Sequence, residues 1–414
     1  MIKQSENKIH YAWIVCAGCA LLLFCTSGLA VNAFTIYQPY LVSDKGLTNT
    51  QSSLIITSRY LSSMVSMILS GLFFKKVSLR KGMLISGLMV SLAFFLFGHL
   101  SGFFGCCLAG LIMGAGYGLG TMIPITLLLN RWFSDKCNTA IGICSASTGL
   151  STLGIPSLIS SAVEKYGLSE VFSFEAVIIA LLVFLSFFLI KNNPSECGLT
   201  AYGTVKEDTQ FVCRGLGLDK RDWLLLVPAL IFIGGVMSVS YSHLAILMTG
   251  EGIAPAKAAS AISVSGIALM IGKIVYGRLD DKIGCYLSTW CFSPFLAVGL
   301  LLCCFIGKSS IILFPAMIIY GIGLACLAVG LSAWPKDISR AEDYPSTIRR
   351  FQIAYASGSL AFSSLPGILA DRAGGSYVTS YIIFFIMSFA VIGIIQHIYV
   401  KAGCKGTKRK CTHK

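Results

Sequence analysis

Charge is what this sequence has least of. Asp, Glu, Lys and Arg together make up 12% of the 414 residues, about half the share found in a soluble domain. None of the 18 carboxylates falls in the middle of a long apolar run: Glu164, Glu170, Glu175, Glu251 and Asp371 stand near run ends, Asp44 in a loop, and the rest in basic loops or near the N-terminus. That distribution excludes a soluble globular fold with a conventional polar surface. It also leaves no acid placed to carry protons through the centre of a span.

Ligand and cofactor patterns are lacking too. Cys16-Ala-Gly-Cys19 has metal-ligand spacing, yet no histidine and no second CxxC completes a set. Most of the 16 cysteines, among them Cys106, Cys107, Cys303, Cys304 and Cys326, lie inside apolar runs as small, soft packing residues. No metal is expected. Gly114-x-Gly116-x-Gly118-x-Gly120 imitates a dinucleotide loop but sits mid-run with no strand before it, so it reads as a close-packing helix face. No nucleophile–base pair and no phosphate-binding loop is visible, so neither an enzyme nor a cofactor is expected.

What is present is apolar length. Hydrophobic residues make up 55% of the chain and mean hydropathy is +0.79. Runs of about 20 residues, each able to cross ~30 Å of hydrocarbon, recur twelve times, at about 11–41, 49–74, 82–100, 102–129, 137–163, 170–190, 222–249, 255–279, 285–307, 309–334, 346–370 and 377–400. The expected fold is an all-α polytopic membrane protein of twelve transmembrane helices. Its expected organisation is a six-helix bundle over 1–190, a linker over 191–221, a second six-helix bundle over 222–400 and a basic tail over 401–414.

The formal charge of +14 is distributed by loop. One set of loops, including both termini, holds 25 of the 32 basic residues, and the opposite set holds only Lys45, Lys165, Lys257, Lys308 and Arg372. By the positive-inside rule both termini are expected in the cytoplasm. The excess is therefore topogenic, with anionic lipid rather than nucleic acid as the partner of the tail. The two halves also repeat. Gly116 and Gly323, Pro156 and Pro366, and Gly71 and Gly277 are separated by 207, 210 and 206 residues, the mark of a parallel duplication.

Two cations remain inside spans, Arg59 and Lys273. Lys273 lies eight residues, about 12 Å, from Asp281, where an unused cation costs about 3 kcal/mol. It shares a helix face with Gly266, Met270 and Gly277. It either meets an anion or snorkels to the interface. Arg59 stands on a stripe with Ser52, Ser63, Ser66 and Ser70, which either lines the outer part of a pathway or bonds helix carbonyls. Two cations without a buried acid favour an anionic cargo.

Gly277-x-x-x-Asp281-Lys282-x-Gly284 resembles the loop signature of the major facilitator superfamily. Of its first-half counterpart only Gly71 and the basic Lys75, Lys76, Arg80 and Lys81 survive, with Lys75 in place of the acid and Ser78 in place of the second glycine. In that reading Gly277, Asp281, Lys282 and Gly284 form a conformational latch. Gly277 would permit close helix approach, and Asp281 would accept hydrogen bonds from a helix N-terminus. Tyr11-Ala-Trp-Ile-Val15, Gly46-Leu-Thr48, and Asn130-Arg-Trp-Phe133 followed by Ala140-Ile-Gly142 narrow the resemblance to the oxalate/formate antiporter and monocarboxylate transporter families.

The resemblance implies two pseudo-symmetric six-helix bundles, the major facilitator fold, and a monomeric secondary transporter of the plasma membrane. It implies alternating-access transport of a small organic anion, foremost a monocarboxylate, with Lys273 as the carboxylate-binding cation. Three positions depart from the family pattern. Ser357 stands where oxalate carriers have a second basic residue, Leu269 where proton-coupled carriers have an acid, and Gln38 where those carriers have a lysine. A monoanion is therefore expected over a dicarboxylate, and exchange or facilitation over proton coupling. Tyr37, Gln38, Tyr117, Tyr241, Tyr320 and Tyr355 could complete the pocket with aromatic faces and hydroxyls, joined by Asn32, Thr121 and His243, the last read as a satisfied buried histidine. The competing expectation is a carrier of the same superfamily for a drug, cation or sugar. A ligand sensor on this fold would need a larger soluble segment than the link or the tail offers.

Overall fold

The computed structural model describes residues 10–134, 137–203, 218–309, 311–340 and 343–402. Among these, twelve helices are long and apolar enough to cross a membrane: Tyr11–Ser43, Asn49–Lys76, Leu79–His99, Gly102–Trp132, Ala140–Tyr166, Leu168–Leu189, Lys220–Ser242, Pro255–Asp280, Cys285–Cys303, Leu313–Pro335, Ser346–Arg372 and Val378–Lys401. They are called the first to twelfth spans below. The expected basic tail beyond residue 402, and residues 204–217 of the link, lie outside the described residues.

The helices are segmented where the sequence supplies a reason. The fifth span breaks after Leu150 and resumes at Ile155–Tyr166, with Gly154 at φ +79° in the gap and Pro156 opening the second piece. The eleventh breaks after Phe362 and resumes at Leu365–Arg372, with Pro366 in its first turn, where a missing N–H costs nothing. The repeated prolines thus restart equivalent helices in both halves. The fourth span, expected as continuous, is interrupted at Gly120–Thr121.

The first and seventh spans carry a feature that hydropathy does not encode. Residues Phe24–Asn32 and Gly234–Val239 are π-helical. Their starts are 210 residues apart, which matches the repeat offset. In the seventh span the cause is visible: Gly234 packs directly on the backbone of Tyr355 and Ser359, and adjacent glycines let the helix widen there.

The chain divides into two compact units. One comprises Met1–Ala33, Leu61–Ser151 and Val163–Thr209, and the other Phe34–Tyr60, Thr152–Ala162 and Gln210–Lys414. The ends of the first, second and fifth spans remote from the termini therefore group with the later half of the sequence, rather than dividing at the central link.

In the first unit the motif residues at the terminal end form one aromatic cluster. Tyr11 and Trp132 lie 5.6 Å apart, Trp13 and Phe133 5.0 Å, and Trp132 Nε1 donates to the Lys191 carbonyl at 3.0 Å. The glycines of the fourth span are packing sites: a side chain at Gly116 would strike the Ser86 carbonyl at 2.7 Å, and one at Gly118 the Ser63 carbonyl at 2.6 Å. Cys16, of the CxxC pair, packs on Cys144 with sulfurs 3.7 Å apart.

In the second unit buried aromatics meet hydroxyls. Trp334 Nε1 donates to Thr289 Oγ1 at 3.1 Å, which also pairs with the Tyr276 hydroxyl at 2.8 Å. Asp219 and Asp222 form a capping box on the seventh span, and Lys401 at the end of the twelfth donates to Asp222 at 2.5 Å.

Candidate functional site

The eighth-span helix Pro255–Ile283 presents three faces. Ile267, Ile271, Ile274 and Val275 form an exposed apolar stripe, while Ala268, Gly272 and Tyr276 are buried. At 100° per residue Lys273 points about 150° away from the centre of the apolar stripe, on the sector of Gly266 and Gly277. Its side chain is exposed. Among the described residues it has no hydrogen-bond or ion-pair partner. One wall of its helix is set by Gly266, which abuts Thr152, and another by Gly272 against Ile322 and Ala325.

Arg59 differs in every respect. It is 3% exposed, with its guanidinium 5.6 Å from the Phe34 ring and 5.2 Å from the Tyr60 ring. Tyr37, fully buried, packs on the same Phe34 at 5.7 Å. Gln38, at 1% exposure, has neither amide atom hydrogen-bonded among the described residues. The serine stripe expected to continue from Arg59 divides in two. Ser63 and Ser66 form the seat of Gly118, a packing surface and not a pathway.

Around the π segment of the seventh span the structure brings three predicted residues together with serines. The Tyr320 hydroxyl pairs with Ser240 Oγ at 2.6 Å, and the Tyr355 hydroxyl with Ser238 Oγ. The hydroxyls of Tyr241 and Ser265 are buried without a partner among the described residues. Tyr117 is half-buried on the fourth span, and Thr121 bonds the Gly118 carbonyl at 3.4 Å. Asn32 donates to the Thr148 carbonyl at 3.1 Å. Ser357 turns its hydroxyl back on the Ile353 carbonyl of its own helix at 2.9 Å, so it offers a substrate little.

The latch residues need one correction. Gly277 has nothing within 4 Å of the place a side chain would occupy, so it makes no close helix approach in this structure. Gly284, at φ +87°, ends the eighth-span helix in a conformation that favours glycine. Lys282 is exposed. The side chain of Asp281 lies outside the described residues.

One residue of the tyrosine–serine cluster escaped the sequence reading. Tyr381 donates to the Ser240 carbonyl at 2.5 Å. The polar run Ser238-Val-Ser240-Tyr-Ser242 inside an apolar span was the signal for this cluster. Glu175, expected at a span end, is only 8% exposed and sits seven residues into its helix. His243 has both ring nitrogens engaged, Nδ1 donating to the Val239 carbonyl at 2.9 Å and Nε2 paired with Ser53 Oγ at 3.0 Å, as a satisfied buried histidine should.

Comparison with known proteins places this geometry. The family model described as Major Facilitator Superfamily matches residues 19–334. The oxalate:formate antiporter of Oxalobacter formigenes is 24% identical over 415 residues, covering 97% of this chain and 94% of that protein. The uncharacterized MFS-type transporter YhjX of Escherichia coli (strain K12) is 25% identical over 229 residues. That match covers 53% of this chain and 54% of the relative, so the chain spans about half the length of that protein. Among solved structures, nucleoside transporter NupG superposes with a TM-score of 0.72 at 14% identity, over 94% of this chain and 99% of that one, a likeness of fold alone.

Proposed function

The chain belongs to the major facilitator superfamily, whose members are membrane transporters and not enzymes, and we propose that it carries a small organic anion, foremost a monocarboxylate, by alternating access. The observation that carries this reading is Lys273: an exposed cation within a membrane span, turned from the apolar stripe and unpaired among the described residues. A cation so placed is costly unless used. A carboxylate arriving beside it would neutralise it, and the neutral pair would move between two conformations more readily than the bare charge. The family likeness to an oxalate:formate antiporter over nearly the whole chain supports the anion class. Ser357, occupied by its own helix, supports a monoanion over a dicarboxylate. The protein would reside in the plasma membrane with both termini cytoplasmic and work as an exchanger or facilitator.

The test is uptake of labelled formate, lactate, pyruvate and oxalate into proteoliposomes, with and without internal anion. Monocarboxylate uptake should be stimulated by internal anion and lost in Lys273→Gln. Normal carboxylate transport by Lys273→Gln would overturn the reading. So would uptake of a neutral sugar or a cation that is indifferent to that substitution.

A further inference from the structure

The second-span helix Asn49–Lys76 is fastened along one face to the seventh and eleventh spans. Its start is only partly capped from within. Thr48 Oγ1 accepts from Gln51 N at 3.1 Å, and Gln51 Oε1 accepts from Thr48 N at 3.0 Å, the reciprocal box that leaves the first two helical N–H groups open. Asp371, at the end of the eleventh span, takes those two. Its carboxylate accepts from Asn49 N at 3.2 Å and Thr50 N at 2.9 Å, and also from Asn49 Nδ2 at 3.0 Å and Thr50 Oγ1 at 2.5 Å. Tyr377 adds a bond from its hydroxyl to Asn49 Oδ1 at 3.2 Å.

The row continues down the helix. Ser53 pairs with His243 at 3.0 Å, Ser363 donates to Thr57 Oγ1 at 2.8 Å, and Tyr60 pairs with Ser242 at 2.9 Å. Residues 49, 53, 57 and 60 fall within one sector of about 80° and span about 16 Å of helix. Gly367 makes the approach possible, since a side chain there would run into Ser53 and the Asn49 carbonyl.

We propose that Asp371 and this polar row form a releasable latch that closes the carrier at the end opposite its termini. The latch is built for reversal. Each bond exchanges protein partners for water at modest net cost, whereas a dry apolar seal of the same length would have to expose its surface. The Asp371 carboxylate is exposed at the rim and is hydrated as soon as it lets go. It is the charged member of the row and sits at the positive end of the helix dipole. The inference rests on the chain being an alternating-access carrier, and not on the identity of its cargo.

The test uses purified full-length protein with Ile56→Cys as a reporter. Ile56 lies about 20° outside the edge of that sector, is 4% exposed, and makes none of these bonds. Maleimide modification of residue 56 is timed by peptide mass spectrometry, so the native cysteines do not interfere. Asp371→Ala should raise the rate about fivefold, the shift expected from losing a helix cap of typical strength. Gly367→Val, which wedges the helices apart, should raise it at least as much. Rates within twofold of the parent in both variants overturn the latch. A parallel rise at the buried Cys303 and Cys326, marking general loosening, also overturns it. No substrate is present in this assay, so its failure is distinct from that of the anion reading, which Lys273→Gln tests by flux.

Discussion

Arg59 and Lys273 are both cations in apolar helices, and their surroundings assign them different work. Arg59 is buried against two aromatic faces, where the flat guanidinium stacks and a compact ammonium would not. Arg59→Lys should therefore lower the thermal stability of the purified protein, by about 1–2 kcal/mol. Lys273 is open and unpaired among the described residues, so Lys273→Arg should keep the fold and much of the carboxylate flux that Lys273→Gln loses. Denaturation and uptake measured on the same three preparations check both expectations. Composition and spacing singled out these two residues, because a charge in an apolar run is visible without coordinates. Their division into a packed and an open cation was not legible. The serine stripe continues below Arg59, but Gly118 of another span fills it, and that partner is invisible in a one-helix pattern.

At the scale of the helix, the same blind spot affects glycines. Gly277 belongs to the signature loop, and its spacing invites a close-packing role, yet a side chain there meets open space. Gly358 drew no attention as a packing residue, and a side chain on it would overlap the backbone of Ile231 in the seventh span. Gly277→Ala should be tolerated and even gain up to about 1 kcal/mol in helix propensity. Gly358→Ala should force the seventh and eleventh spans apart at a cost of about 1–3 kcal/mol. Melting temperatures of the two variants against the parent decide the contrast. Span positions and the paired prolines were legible because apolar length and proline both show in the local sequence, whereas the helix restarts and the Thr48–Gln51 cap emerged only from the structure. The π segments were not legible either, since π and α turns bury the same apolar residues and differ only in which carbonyl each N–H finds.

Across the whole molecule, duplication joins these details. Helix restarts at Pro156 and Pro366 and π turns in the first and seventh spans recur at one offset. The second unit nevertheless holds the features that set its chemistry: the open cation, the tyrosine–serine cluster and the Asp371 latch. A carrier whose cargo completes an unpaired site should be stabilised by that cargo through mass action, by about 2.7 kcal/mol at a hundredfold excess over the dissociation constant. The unfolding temperature of the purified protein should rise with the concentration of a transported monocarboxylate, and should not rise with the corresponding neutral amide, which brings no charge to Lys273. Lys273→Gln should abolish the response. Asp371→Ala should lower the baseline while leaving a response, because the latch and the cation are separate parts of the unit. An equal response to acid and amide, or one that survives Lys273→Gln, would place the cargo elsewhere than at this lysine.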